Sequence, residues 1–158
     1  MSESSENWQP KTMPSILISH AARALARRAD TKLRDIGIST SQFPVLVALK
    51  DGARLTQKEL ALLANVEQPS MAQLLTRMER DGLIRREADP NDGRSSLISL
   101  TNTATSLFSP VRAILTQGNQ EALAGFNDSE IEQLVALLHR VIANVGDGKC
   151  LLATVSPK

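Results

Sequence analysis

Gln68, Ser70, Gln73, Thr76, Arg77 and Arg80 alternate along residues 68–80 with Met71, Leu74, Leu75 and Met78. The four apolar residues stand at i, i+3, i+4 and i+7, one face of a helix, which leaves the polar ones on or beside the opposite face. Gln and Arg make paired hydrogen bonds to adenine and guanine edges, while Ser and Thr reach phosphates or bases. That chemistry suits a major groove, although any solvated helix also carries Gln and Arg. A further cation, Arg94, sits in the turn-forming stretch DPNDGRSS, residues 89–96, between LIRRE and SLISL, two runs suited to strands. A turn does not need an arginine, whereas a guanidinium on a hairpin can enter a narrow A·T-rich minor groove. Asp92 fits two roles: ordinary turn chemistry, or a carboxylate that holds Arg94, Arg85 or Arg86.

These residues need elements to position them. Leu60, Leu63 and Ala64 form an apolar stripe on a short helix that faces the Met71–Met78 stripe, and only Asn65, Val66 and Glu67 join the two. Pro69 is tolerated in the first turn of the second helix, so the connection is that of a helix-turn-helix or of a plain helical hairpin. Asp81-Gly82 ends the second helix, and Leu83 begins the hairpin. Upstream, Leu17, Ala21, Ala24, Leu25, Leu33 and Ile36 recur at helical spacing in one long helix opened by Pro14 and stopped at Gly37. Ser39 with Gln42, Thr56 with Glu59 and Asn127 with Glu130 have capping-box spacing and mark three helix starts. Pro44 leaves the first of these open between a cap at Ser39 and one at Ser41.

Composition narrows the function by exclusion. Lys plus Arg number 18 against 17 Asp plus Glu, so bulk charge announces neither nucleic acid nor disorder. Residues 68–94 repeat that balance with five arginines and five acids, so any basic face must be sorted by folding. His20 and His139 fall in separate helices, and no metal-ligand spacing, phosphate loop or dinucleotide fingerprint occurs, so neither an enzyme, a metal nor a cofactor is expected. A lone cysteine, Cys150, and no apolar run of membrane-spanning length favour a cytoplasmic protein without membrane partners.

Residues 56–101, TQKELALLANVEQPSMAQLLTRMERDGLIRREADPNDGRSSLISLT, resemble the winged helix-turn-helix core of the MarR family of bacterial transcriptional regulators. The stretch ERDGLIRREADPNDGRSSLISLT carries the resemblance most specifically, with an Asp-x-Arg wing tip at Asp92 and Arg94. The resemblance implies a mainly α fold with a small β-hairpin, a single domain over 14–146. Within it the winged lobe spans about 39–100, and dimerisation helices span about 15–36 and 101–146. Residues 1–13 and 147–158 are expected to be tails, and Pro110 and Gly118 are expected to bend or weaken the helix between the dimerisation helices and the lobe. It also implies a homodimer on a pseudo-palindromic double-stranded DNA site, acting as a repressor relieved by a small aromatic or anionic effector.

The DNA-binding set is then Gln68, Pro69, Ser70, Gln73, Thr76, Arg77, Arg80, Arg86, Asp92 and Arg94. Within it Gln73 and Arg77 are expected on bases and Arg80 on phosphate. His20, Arg23 and Phe43 are the candidates to line an effector cleft. Two other readings stand beside this one: a winged helix that binds only protein, and a thiol-sensing regulator using Cys150.

Overall fold

The computed structural model of the chain describes residues 9–146. A short 3-10 turn, Pro10–Thr12, lies inside the expected N-terminal tail and leads into α1 (Pro14–Leu33), with Pro14 in the first turn, where no amide donor is needed. A tightened turn at Arg34–Ile36 follows, and Gly37 closes it at φ 76°, a backbone conformation that favours glycine. Ser39 and Pro44 are reconciled by a division of labour. Ser39 precedes a 3-10 turn over Thr40–Gln42, its amide donating to the Gln42 side chain at 2.9 Å, and Pro44 then falls in the first turn of α2 (Phe43–Ala48).

The helix-turn-helix consists of α3 (Gln57–Ala64) and α4 (Gln68–Arg80). Thr56 and Glu59 form the reciprocal cap of α3, and Asn65, at φ 51° and ψ 48°, turns the chain toward α4. Met71, Leu74, Leu75 and Met78 are all buried, the stripe expected from their spacing. Each such side chain contributes about 1.5–3 kcal/mol when fully removed from water, so α4 is held by its inner face and its outer face is free. Gly82, at φ 73°, lets the Leu83 amide return to the Met78 carbonyl at 2.8 Å and ends the helix.

The hairpin comprises β2 (Ile84–Asp89) and β3 (Asp92–Leu100), antiparallel, with a register shift between Ala88 and Asp89. Where the sequence leads one to expect a two-stranded wing, the sheet has three strands in the order β1-β3-β2. The extra strand, β1 (Leu55–Thr56), adds to the other edge of β3 and pairs Leu55 with Ile98. Thr101 then joins three elements: its hydroxyl donates to the Gly82 carbonyl at 2.6 Å and accepts from the Ala104 amide at 3.2 Å, capping α5 (Asn102–Ser106).

A continuous helix over 101–124 is not what forms. The chain breaks at Leu107 and restarts as α6 (Phe108–Ala122). Pro110 accounts for the break, since its ring crowds the carbonyl of Ser106 one turn earlier and it has no amide to donate there. Gly118 does not interrupt α6. The last helix, α7 (Asp128–Val145), carries an Asn127–Glu130 capping box and buries no residue within the single chain. Leu33, Leu49, Leu60, Met71, Leu75, Met78 and Ile98 form the centre of the one hydrophobic core, at the junction of the lobe with the end of α1.

Candidate nucleic-acid interface

Gln68, Pro69, Ser70, Gln73, Thr76, Arg77 and Arg80 are all exposed on α4, as its period requires. Their internal bonds separate them. The Gln68 side chain accepts from Gln57 at 3.2 Å, the Thr76 hydroxyl donates to its own helix at the Ala72 carbonyl, 2.9 Å, and Arg80 Nε reaches Asp81 at 2.9 Å. Gln73 and Arg77 have no side-chain partner among the described residues.

The balance of five arginines and five acids is resolved by the fold. Glu79 takes Arg86 at 3.1 Å, Asp81 takes Arg80, and Glu87 takes Arg54 together with Arg85, the latter at 3.4 Å. Asp89 accepts from the Asn91 amide at 2.9 Å and from the Ser95 hydroxyl at 3.3 Å. Asp92 accepts the Arg94 backbone amide at 3.0 Å. All five acids are therefore engaged internally, and of the arginines from 77 to 94 only Arg77 and Arg94 lack a carboxylate among the described residues. Exposed pairs of this kind add little stability, but they decide where positive charge is left over.

This geometry decides between the two roles of Asp92 and places Arg94 beside the turn and not in it. Asp92 is not held by the guanidinium of Arg94, Arg85 or Arg86; it does turn work, through a backbone amide. Gly93 does not take a positive φ, and the reversal runs through Pro90 and Asn91 between the paired Asp89 and Asp92, so Arg94 stands on the return strand. Arg86, expected to touch DNA, pairs through its Nε with Glu79 and ties β2 to α4. Glu79→Gln and Arg86→Ala should each weaken DNA binding by about threefold to tenfold, and the double variant should be no worse than either. Additive losses in a titration of all three variants would make Arg86 a DNA contact in its own right.

His20 and Arg23 are exposed on α1, and Phe43 is half-buried against the core at the start of α2. None of the three lines the clefts that α1 forms with α6 and with α4 among the described residues. One such cleft, of about 270 Å³ between α1 and α6, has an apolar floor of Leu25, Ala29, Ile114 and Leu115, with Arg28, Lys32 and Glu121 at its edge. Glu121 bridges the two helices, receiving Lys32 at 3.2 Å and Arg28 at 2.7 Å. The hydrogen bond and charge of Lys32, with those of Arg28, hold its carboxyl below the ordinary value. This staple is complete above the ordinary carboxylate range and is lost as pH falls through the lowered value.

A second cleft, of about 500 Å³, lies between the end of α1 and α4 and is lined by Arg34, Ser39, Ser41, Arg77 and Asp81 among others. No local pattern in the sequence links Arg34 to Arg77, and Arg34 is absent from the expected site for that reason. Among the described residues there is no cluster of His, Cys, Asp or Glu that could hold a metal, and no helix is long and apolar enough to cross a membrane. Cys150 lies outside the described residues.

Known proteins share this geometry. A family model described as MarR family matches residues 36–95. An uncharacterized HTH-type transcriptional regulator, YwoH of Bacillus subtilis, is 31% identical over 115 residues, 73% of this chain and 83% of the relative. The crystal structure of a probable transcriptional regulator from Pseudomonas aeruginosa superposes with a TM-score of 0.76 at 27% identity, covering 85% of this chain and 100% of that one. A cysteine-to-serine mutant of MarR from E. coli, crystallised with operator DNA, superposes at 0.74 with 25% identity, over 81% of this chain and 92% of that one.

Proposed function

The chain belongs to the MarR family of transcriptional regulators, and we propose that it is a homodimeric, sequence-specific repressor of double-stranded DNA, relieved by a small ligand. The observation that carries this reading is the sorting of charge: internal acids absorb the neighbouring arginines, while Arg77 on α4 and Arg94 on the wing stay unpaired and exposed. A helix for the major groove and a hairpin for the flanking minor groove each present one free guanidinium. The MarR–operator complex supports the same partner by similarity. For the ligand, the α1–α6 cleft is the better candidate than His20, Arg23 and Phe43, because Leu25, Ala29, Ile114 and Leu115 give it an apolar floor.

Recognition helices of this kind read bases chiefly with their N-terminal residues, which favours Gln68, Ser70 and Gln73. Gln73 has the chemistry for a two-bond contact with adenine and no internal bond to break first. Selection of bound fragments from a genomic library should return a pseudo-palindrome with half-sites about one helical turn apart. On that sequence Gln73→Ala should flatten the preference at one base pair per half-site, costing about 1–3 kcal/mol there. Equal weakening on every duplex would assign Gln73 to the backbone, and recovery of no preferred sequence would favour a protein-binding winged helix instead.

A further inference from the structure

We propose that Arg34 and Arg77, facing the α1–α4 cleft with the hydroxyls of Ser39 and Ser41, form a clamp for one backbone phosphate of the DNA strand bordering the major groove. The proposal rests on the DNA-binding reading and extends the footprint to a corner of the protein outside the helix-turn-helix and the wing.

The cleft holds four charged groups of interest, and their bonding decides its character. Asp30 accepts the Thr40 backbone amide at 2.6 Å, and Asp81 accepts Arg80 at 2.9 Å. Both carboxylates are thus committed to groups of the protein. Arg34 and Arg77 have no side-chain partner among the described residues, and both are exposed. Ser39 and Ser41 share one hydrogen bond at 2.8 Å, so one of the two hydroxyl protons remains free to donate to an added acceptor. Two free guanidiniums and a hydroxyl donor around one opening match the several acceptor oxygens of a phosphodiester, and guanidiniums bind phosphate through paired hydrogen bonds.

The occupant follows from position. The cleft shares Arg77 with the outer face of α4, so whatever strand runs along that face passes its mouth. A helix seated in the major groove is flanked by sugar-phosphate backbone, and Arg77, in the C-terminal half of α4, stands away from the end that reads bases. The committed carboxylates repel a freely diffusing anion as much as a tethered one. A phosphate delivered by the duplex, already held by the wing and by Gln73, needs no independent affinity for the cleft.

The test uses the full-length protein and its selected duplex, titrated by fluorescence anisotropy across a salt series. Arg34→Ala should weaken binding by about tenfold, equally for preferred and altered base sequences, with the salt slope lower by about one unit for each clamp lost. Arg34→Gln, which keeps most of the side chain's length, should behave alike, and circular dichroism should show both folded, since Arg34 is bonded only through its backbone. A scan of duplexes with single neutral methylphosphonates should find one position per half-site where wild type loses as much as Arg34→Ala costs on the unmodified duplex, and where the Arg34→Ala/Arg77→Ala variant loses nothing further. Unchanged affinity and slope for both Arg34 variants would overturn the clamp, as would a loss for Arg77→Ala that depends on base identity. Wild type that binds no duplex selectively would overturn the DNA-binding reading itself, a result distinct from either.

Discussion

Arg94→Ala should leave the folded lobe and the dimer intact while lowering DNA affinity by roughly tenfold to a hundredfold per wing, about 1–3 kcal/mol for a lost base-groove contact. The structure separates the side chain from the turn. Asp89 and Asp92 shape the reversal through the amides of Asn91 and Arg94, and alanine keeps that amide. What is lost is a guanidinium without an internal partner. The loss should be larger on duplexes with A·T-rich flanks, whose narrow groove concentrates negative potential, and the salt slope should fall by about one unit per contact. Arg94→Lys should recover only part, because an ammonium is more strongly hydrated than a guanidinium. Anisotropy titrations on duplexes differing only in their flanks would measure this. Equal affinity of wild type and Arg94→Ala on every flank would reduce the hairpin to a turn.

A still larger effect is expected at α7. Leu138→Asp should convert the protein to a monomer in light scattering and lower operator affinity by about two to four orders of magnitude, the gain that joining two half-sites supplies. The reason lies in exposed apolar surface. Val135, Leu137, Leu138, Val141 and Val145 on α7, with Ile16, Leu17 and Ile18 on α1, are large hydrophobic side chains left exposed in a single chain. An amphipathic helix of this length draws most of its stability from packing, yet among the described residues α7 buries no side chain fully, and only Ile131, Leu134 and Ile142 are half-buried. In the proposed homodimer a second copy would supply the missing surface by two-fold pairing of like elements. An aspartate placed there must lose its hydration without a partner. Leu138→Ala should weaken pairing less, and a wild-type monomer that binds the palindrome at full strength would refute the dimer.

Local patterns in the sequence are sufficient for much of this. The buried stripe of α4, the three capping pairs at Ser39, Thr56 and Asn127, and the glycine stops at Gly37 and Gly82 each depend on residues a few positions apart, and the structure forms them all. Contacts between distant segments are not legible in the same way. The two residues of β1 are too few to show alternation and owe their strand to β3. The pairing of Arg86 with Glu79, on another element, shows in no local pattern. Pro110 marks a weak point in the sequence, and its effect falls upstream at Leu107, because the clash is with the preceding turn. The effector candidates rest on the weakest signal. His20, Arg23 and Phe43 stand out by residue type alone, whereas clefts arise where helices meet.

The residues proposed to pair the subunits and those proposed to read DNA do not overlap: the exposed stripe of α7 contains none of the α4 or wing side chains. In inheritance this separation has a cost. A copy of the gene damaged at Arg94 yields a chain that still seeks a partner as well as the intact one does. With equal amounts of both, random pairing strands about half of the intact chains in mixed pairs with one blind half, and only about a quarter of all pairs are whole. Damage at Leu138 should remove the chain from the pool of partners instead, so that every intact chain would still find an intact mate. The milder lesion for the molecule is thus the harsher one for the cell that carries both alleles.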